Sequence, residues 1–137
     1  MNKRLNGLLM AGLCLVVLLG AVAIAGAKTS YTTSRPVLSG TPHKDKPFRC
    51  SGVITPKSTS KSPAKVKIIL WMSNGNGYGV MDSYWAKVGK RPAGKPGSTY
   101  SCTITIPMKG DHGVQAVQYR GGKQVSKSAI TYFTVQP

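Results

Sequence analysis

Acidic side chains are scarce in this sequence. Glutamate is absent and only three aspartates occur, against 19 lysines and arginines, so the formal net charge is +16. Acid–base catalysis needs titratable groups held against a substrate, and only two histidines accompany the three aspartates. The Gly-x-Ser-x-Gly motif of one large hydrolase class is also absent. The composition therefore predicts that the protein is not an enzyme and uses no cofactor or metal ion.

Helical periodicity is absent from the sequence after residue 27. No segment there longer than eight residues repeats its apolar positions at the spacing of a helix. Apolar and polar residues alternate instead, which is typical of half-buried strands. We interpret the longest apolar run of this region, Ala64–Ser73, as the central strand of the fold. The Asn- and Gly-rich residues 74–79 follow it and predict a hairpin.

Seven antiparallel strands are predicted, labelled A, B, C, C′, E, F and G, at the regular spacing typical of a β-sandwich. Strand A is short and begins at Val37. The other six are predicted at residues 48–54, 64–73, 80–88, 99–106, 113–119 and 126–135. We therefore expect an all-β domain at residues 37–137, preceded by a flexible Ser- and Thr-rich tether at residues 28–36.

The N-terminal segment has the pattern of an export signal. An uncharged run rich in Leu, Val and Ala follows Lys3 and Arg4 and ends at Ala27 in a small-x-small pattern. We predict that residues 1–27 form a hydrophobic helix that acts as a signal peptide, or as a membrane anchor if it is not cleaved. Either outcome places residues 28–137 outside the cytoplasm, secreted or tethered to the outer face of the cell membrane.

The strand pattern resembles the immunoglobulin-like and fibronectin-III-like modules of exported bacterial proteins. The resemblance rests on Phe48-x-Cys50-x-Gly52, Trp71, Asp111-x-Gly113 and the ending Ser128, Phe133 and Val135. It implies a seven-stranded immunoglobulin-like sandwich over most of residues 37–136. The sequence departs from the antibody-type pattern at Val117, which stands where those domains carry their second cysteine.

Two cysteines remain after residue 27, Cys50 on strand B and Cys102 on strand E. An even number of cysteines in an exported chain indicates a disulfide rather than free thiols. The alternation points both side chains inward, and strands B and E are neighbours in such a sandwich. We therefore predict a Cys50–Cys102 disulfide that contributes about 4 kcal/mol of stability.

Basic residues are predicted to collect at one end of the sandwich. Successive antiparallel strands place the BC, C′E and FG loops together, and the AB, CC′ and EF loops at the opposite end. The first three loops supply eight candidate anion-binding residues: Lys57, Lys61, Lys65, Lys90, Arg91, Lys95, Arg120 and Lys123. The opposite end would carry His43, Asp45, Asp111 and His112, which we interpret as solvated loop residues rather than metal ligands.

A second candidate surface lies on the outward face of strands C and C′. Strand parity predicts a platform for sugar rings or a protein partner, formed by Ile69, Trp71, Met81 and Trp85. The alternative is a bulge that shifts the parity by one residue, in which case a tryptophan belongs to the core.

The leading hypothesis from the sequence is an exported, non-catalytic binding or adhesion module. Its expected partner is an anionic polymer of the envelope or the extracellular space, or an acidic protein surface, held by the basic loops. One alternative is a protein- or carbohydrate-binding module that uses the Trp71/Trp85 face. The other is a small secreted effector or inhibitor.

Overall fold

Residues 28–137 are described by a computed structural model, and they form two antiparallel β-sheets without a helix. The prediction of an all-β fold is confirmed. The predicted N-terminal helix concerns residues 1–27, which lie outside the described residues. The ten strands are β1 Thr32–Thr33, β2 Val37–Leu38, β3 Pro47–Thr55, β4 Ala64–Ser73, β5 Tyr78–Trp85, β6 Lys87–Lys90, β7 Ser98–Thr105, β8 Gly110–Arg120, β9 Lys123–Lys127 and β10 Thr131–Val135.

Each sheet contains five strands. The first has the order β1-β3-β7-β6, with β2 also paired to β3, and the second has the order β10-β8-β4-β5, with β9 also paired to β8. The predicted central strand is present as β4, which lies between β8 and β5 and has the predicted bounds.

The predicted count of seven strands is wrong because one strand lies in the predicted tether and two predicted strands are interrupted. β1 lies within residues 28–36, and residues 34–36 separate it from β2, which is the predicted strand A. Pro36 cannot donate a ladder hydrogen bond. Strand C′ is divided at Ala86, where the chain leaves the second sheet as β5 and joins the first as β6. The last strand is divided into β9 and β10 by residues 128–130.

Part of the predicted tether belongs to the sheet. The compact unit of the described residues begins at Tyr31, and Thr32 and Thr33 pair with Thr55 and Ile54 of β3. Backbone hydrogen bonds to β3 hold these residues, so the ordered domain starts about six residues before Val37. The Ser and Thr content of residues 28–36 did not distinguish a short edge strand from a linker.

The core lies between the inward faces of the two sheets. Val66, Ile68 and Leu70 alternate inward along β4 and are almost completely buried, opposite Tyr100 and Ile104 of β7. Each side chain of this size contributes roughly 1.5–3 kcal/mol when it leaves water. Period-two alternation on β4 and β7 is therefore sufficient to explain why the sheets face each other.

The two cysteines are adjacent in register but are not bonded to each other. Cys50 of β3 and Cys102 of β7 are direct cross-strand partners, and both are free thiols. Cys50 is fully buried, whereas Cys102 is half-buried at the edge of the core. The predicted adjacency of strands B and E is correct, and the predicted disulfide between these two described residues is not formed.

Gly52 allows the side chain of Tyr100 to cross β3. A Cβ atom on Gly52 would overlap the ring and hydroxyl of Tyr100 and the hydroxyl of Ser34. The Tyr100 hydroxyl donates a hydrogen bond to the Ser34 carbonyl at 2.7 Å, which ties the N-terminal segment to the core. Burial of this phenol raises the pKa of Tyr100 above its ordinary value, so the hydroxyl stays protonated and able to donate.

We expect Gly52→Ala to lower the free energy of unfolding by about 2 kcal/mol, because an added methyl group overpacks a site that is already full. Gly79→Ala is the matched control, since a Cβ atom there meets nothing within 4 Å. Urea unfolding of both variants measures the difference. Equal stabilities of the two variants would show that Tyr100 can move away at little cost.

No helix within residues 28–137 is long and apolar enough to cross a membrane.

Candidate anion-binding site

Two loops meet at one end of the sandwich and enclose a cationic cleft of about 350 Å³. The loop after β3 contributes Lys57, the end of β6 contributes Lys90, and the loop between β6 and β7 contributes Arg91 and Lys95. Among residues 28–137, no acidic side chain lines the cleft. Four of the eight predicted anion-binding residues are therefore brought together, and we call this arrangement the cationic cleft.

Two hydrogen bonds fix the loop after β3, one to the start of β7 and one to the start of β4. The Ser98 hydroxyl of β7 accepts a hydrogen bond from the Ser58 backbone at 2.9 Å, and the Ser58 hydroxyl accepts one from the Ala64 backbone at 2.8 Å. Lys57 is thereby held at a set distance from the first residues of β7. A cleft with a fixed shape loses less entropy on binding than two independent loops would.

The β6–β7 loop is shaped by its own residues. The Arg91 guanidinium donates to the Pro96 carbonyl at 2.6 Å, and the Lys95 backbone donates to the Pro92 carbonyl at 3.1 Å. Gly97 has a positive φ of 86° and packs so closely on β3 that a Cβ atom would overlap the Ile54 carbonyl oxygen. Lys95 therefore projects from a loop whose backbone is fixed by its own hydrogen bonds.

Arg120 does not contribute to the surface, contrary to the prediction. It is only 7% exposed, at the end of β8, and its guanidinium donates inward. Its nitrogens donate to the Ser62 carbonyl at 2.6 Å, to the Pro56 carbonyl and to the Gln118 side-chain oxygen at 2.8 Å. Burial lowers the pKa of Arg120, and the nearby Tyr31 acts in the opposite direction. Arg120 instead clamps the loop that carries Lys57.

The other predicted basic residues lie outside the cleft. Lys61 and Lys123 are exposed, one in the loop before β4 and the other at the start of β9. Lys65 belongs to β4 and extends over the ring of Trp85, with its Nζ atom 5.8 Å from the ring centroid. Lys65 is therefore a residue of β4 and not of the BC loop, where it was predicted to bind an anion.

Three of the four residues predicted to be solvated at the opposite end, His43, Asp45 and Asp111, are exposed, and the fourth is not. His112 is completely buried within β8 and stacks on Phe133 at a centroid distance of 6.1 Å. Its Nδ1 atom lies 2.9 Å from the Gly110 carbonyl oxygen, and its Nε2 atom has no hydrogen-bond partner in the described part of the chain. Among the described residues, no group of three or more His, Cys, Asp or Glu side chains is arranged to hold a metal ion.

The predicted platform is split by a β-bulge. Trp85 is 58% exposed on the outer face of the second sheet, and Trp71 is half-buried. Ile69 is also half-buried, on the same face of β4 as Trp71. The register between β4 and β5 shifts between Leu70 and Trp71, which turns Met81 toward the core. Met81 is therefore wrongly assigned to the platform, and the parity error arises from one extra residue in β5.

Two further residues surround Trp85. Lys67 of β4 places its Nζ atom 4.7 Å from the Trp85 ring centroid and 5.7 Å from that of Tyr119. The Trp85 and Tyr119 rings meet edge to face at 5.7 Å. Lys67 and Tyr119 were not predicted as part of this surface, because they come from different strands. The available signal was strand parity, which places Lys67 on the same face of β4 as Lys65.

Comparisons with known proteins found similarity among solved structures but not among family models or curated sequences. No family model matches the chain, and no curated protein sequence matches it. Among solved structures, the chain is similar to a superoxide reductase (neelaredoxin) from Ignicoccus hospitalis. The two are 12% identical, the alignment covers 83% of this chain and 85% of that chain, and the TM-score is 0.40.

This similarity to an enzyme contradicts the prediction of a non-catalytic binding or adhesion module. It also contradicts the prediction that the protein is not an enzyme, and we withdraw both. With a TM-score of 0.40 and 12% identity, the similarity assigns no activity, substrate or cofactor to this chain.

Proposed function

We propose that this domain binds an anionic polymer through the cationic cleft. The observation that carries the proposal is the convergence of Lys57, Lys90, Arg91 and Lys95 on one cleft whose lining, among the described residues, contains no carboxylate. Cations that face one another across a cleft produce a higher local potential than the same charges spread over a surface. An anionic partner removes that repulsion and releases its own counterions.

The charge of the whole chain supports the same partner class. The formal net charge is +16, with all three acidic residues, Asp45, Asp82 and Asp111, outside the cleft lining. The summed field therefore attracts polyanions from a distance, and the cleft provides the close contacts. The predicted export signal at residues 1–27 makes anionic polymers of the envelope or extracellular space the partners that the domain would meet.

We also infer an immunoglobulin-like strand order. Sheets in the orders β1-β3-β7-β6 and β10-β8-β4-β5 correspond to A-B-E-D and G-F-C-C′ of that topology. In this arrangement, the loop after β3 and the loop before β7 lie at the same end of the sandwich. The topology thus accounts for how residues more than 30 positions apart in sequence line one cleft.

Removal of three lysines should weaken binding of inorganic polyphosphate, a probe that carries charge without rings. We expect the triple variant Lys57→Gln/Lys90→Gln/Lys95→Gln to bind at least about tenfold more weakly at physiological salt. The slope of log affinity against log salt should also become shallower by about 2, since each neutralised charge contributes roughly 0.7. Isothermal titration at several salt concentrations measures both quantities.

A charge-matched control distinguishes a specific cleft from general attraction. The variant Lys44→Gln/Lys46→Gln/Lys109→Gln removes the same charge at the opposite end, where Lys44 and Lys109 line a separate hollow. We expect this variant to bind polyphosphate within about threefold of the unaltered protein. If both triple variants lose the same affinity for polyphosphate, the cleft is not a specific binding site. The attraction would then be a diffuse electrostatic one.

A further inference from the structure

On the outer face of the second sheet, two lysines of β4 each lie opposite an aromatic residue of a neighbouring strand. Lys67 of β4 lies opposite Trp85 of β5, and Lys65 of β4 lies opposite Tyr119 of β8. Both lysines extend over the Trp85 ring, and Lys67 also lies over Tyr119. We call these four residues the Trp85 patch.

The Trp85 patch is accessible and is held in place by the sheet. Trp85 is 58% exposed, Lys65 is exposed and Tyr119 is half-buried. The residue after Trp85 is fixed by a hydrogen bond from the Ala86 backbone to the Val66 carbonyl at 2.8 Å. Because the backbone beneath the patch is paired on both sides of β4, a ligand would meet rings that are already in position.

The alternation of charge and ring indicates the chemistry of a ligand. Lys65 and Lys67 are two residues apart on one strand, a separation of about 6.7 Å. A polymer that matches this pattern carries one negative charge and one flat ring in each repeating unit. A single-stranded nucleic acid has this composition, with a phosphate and a base in every nucleotide, whereas inorganic polyphosphate has no ring.

We propose that the Trp85 patch binds single-stranded nucleic acid, with bases stacked on Trp85 and Tyr119 and phosphates held by Lys65 and Lys67. Stacking a base on Trp85 requires Lys67 to leave the face of the ring. A lysine over an exposed ring favours its position by about two- to fivefold. A stacked base contributes about five- to 150-fold, so the exchange favours the base, and Lys67 then becomes free to contact a phosphate.

A single strand can extend from the Trp85 patch to the cationic cleft. β5 ends at Trp85 and β6 ends at Lys90, which lines the cleft, so the two residues are at most about 18 Å apart along the chain. Lys87 is exposed between them and supplies an intermediate charge. The Trp85 patch would be more selective than the cleft. The cleft would accept any polyanion, whereas the patch would select polyanions that carry stacking rings.

The test compares a deoxythymidine decamer with polyphosphate of the same number of phosphates. We expect Trp85→Ala to weaken binding of the decamer at least about tenfold and to change binding of polyphosphate less than about twofold. Tyr132→Ala is the matched control, because Tyr132 is a 59% exposed ring on the same sheet that packs on Tyr78 instead of a lysine. It should change neither affinity more than about twofold. Fluorescence polarisation of labelled probes measures the affinities, and circular dichroism verifies that each variant is folded.

Three outcomes would overturn the Trp85 patch as a nucleic-acid site. The first is equal weakening of decamer binding by Trp85→Ala and Tyr132→Ala. The second is equal weakening of decamer and polyphosphate binding by Trp85→Ala, which would indicate a change in charge contacts rather than lost stacking. The third is a uronic-acid polysaccharide that binds more tightly than the decamer with the same dependence on Trp85, which would identify an acidic glycan as the ligand. The proposal for the cationic cleft is tested independently, because the triple lysine variant is measured with polyphosphate, which has no rings.

Discussion

Oxidation of Cys50 and Cys102 to a disulfide is expected to raise the free energy of unfolding by about 4 kcal/mol. The two residues are direct partners on β3 and β7, so the strands already place them side by side. Directly opposed residues of antiparallel strands have Cα separations that a disulfide can span. The bond would close a loop of about 50 residues in the unfolded chain, and the lost chain entropy accounts for the gain.

The reaction should be slow at neutral pH and faster at alkaline pH. Burial, followed by the neighbouring Cys102, raises the pKa of Cys50 to about 12, and burial also raises the pKa of Cys102. Only a thiolate attacks a disulfide, so the reactive fraction increases as the pH rises. With oxidised glutathione, the more exposed Cys102 attacks first and releases one glutathione. Cys50 then displaces the second glutathione from Cys102, and two electrons pass to the reagent.

Thiol titration and urea unfolding, with and without oxidised glutathione, measure the effect. The double variant Cys50→Ala/Cys102→Ala is the control and should show no change in stability on oxidation. A protein that loses both thiols yet gains no stability would show that the bond strains the paired strands by as much as it constrains the unfolded chain. Persistence of both thiols at alkaline pH would show that the sulfurs cannot meet.

Replacement of Arg120 by lysine is expected to lower the free energy of unfolding by about 3 kcal/mol while the net charge stays the same. Arg120 donates to carbonyl groups of Pro56 and Ser62 and to the side chain of Gln118. A lysine cannot reproduce this forked geometry. Buried acceptors would lose their donors, and hydrogen bonds to a charged group contribute roughly 1.5–3 kcal/mol each.

The same replacement should weaken binding of polyphosphate about tenfold, although Arg120 is buried. The loop it clamps carries Lys57, so its loss would misplace one wall of the cationic cleft. Arg49→Lys is the matched control, because Arg49 is exposed on β3 and its side chain makes no comparable contacts with the described residues. Binding is measured at a temperature well below the thermal unfolding midpoint of each variant. Lower stability with unchanged polyphosphate affinity would limit Arg120 to a role in folding.

Much of the sheet structure was predictable because alternation with period two is a local property. The bounds of β4 match the prediction, and Cys50 and Cys102 lie on the paired strands expected of them. The breaks in the strands were not predictable in the same way. The crossing at Ala86 depends on a hydrogen bond to Val66, 20 positions away.

For the candidate sites, the sequence predicted which residues lie close together only where the order of the strands and loops was sufficient to place them. Lys57 and Lys90 share a cleft because antiparallel connectivity returns their loops to one end. The sequence predicts Arg120 as a solvated residue of the FG loop, because charged side chains are usually solvated. Its burial depends on backbone carbonyls of a loop 58 residues earlier, and nothing in the neighbouring sequence indicates them.

The all-β class, the excess of positive charge and the inward face of the central strand can all be derived from the sequence. Each of these depends on composition or on neighbours one or two positions apart. Three other features are visible only in the folded domain: Met81 turns inward at a bulge, Arg120 is buried, and Lys67 and Tyr119 surround Trp85. The physical reason is that these contacts join residues on different strands, and their register depends on packing across the whole sheet.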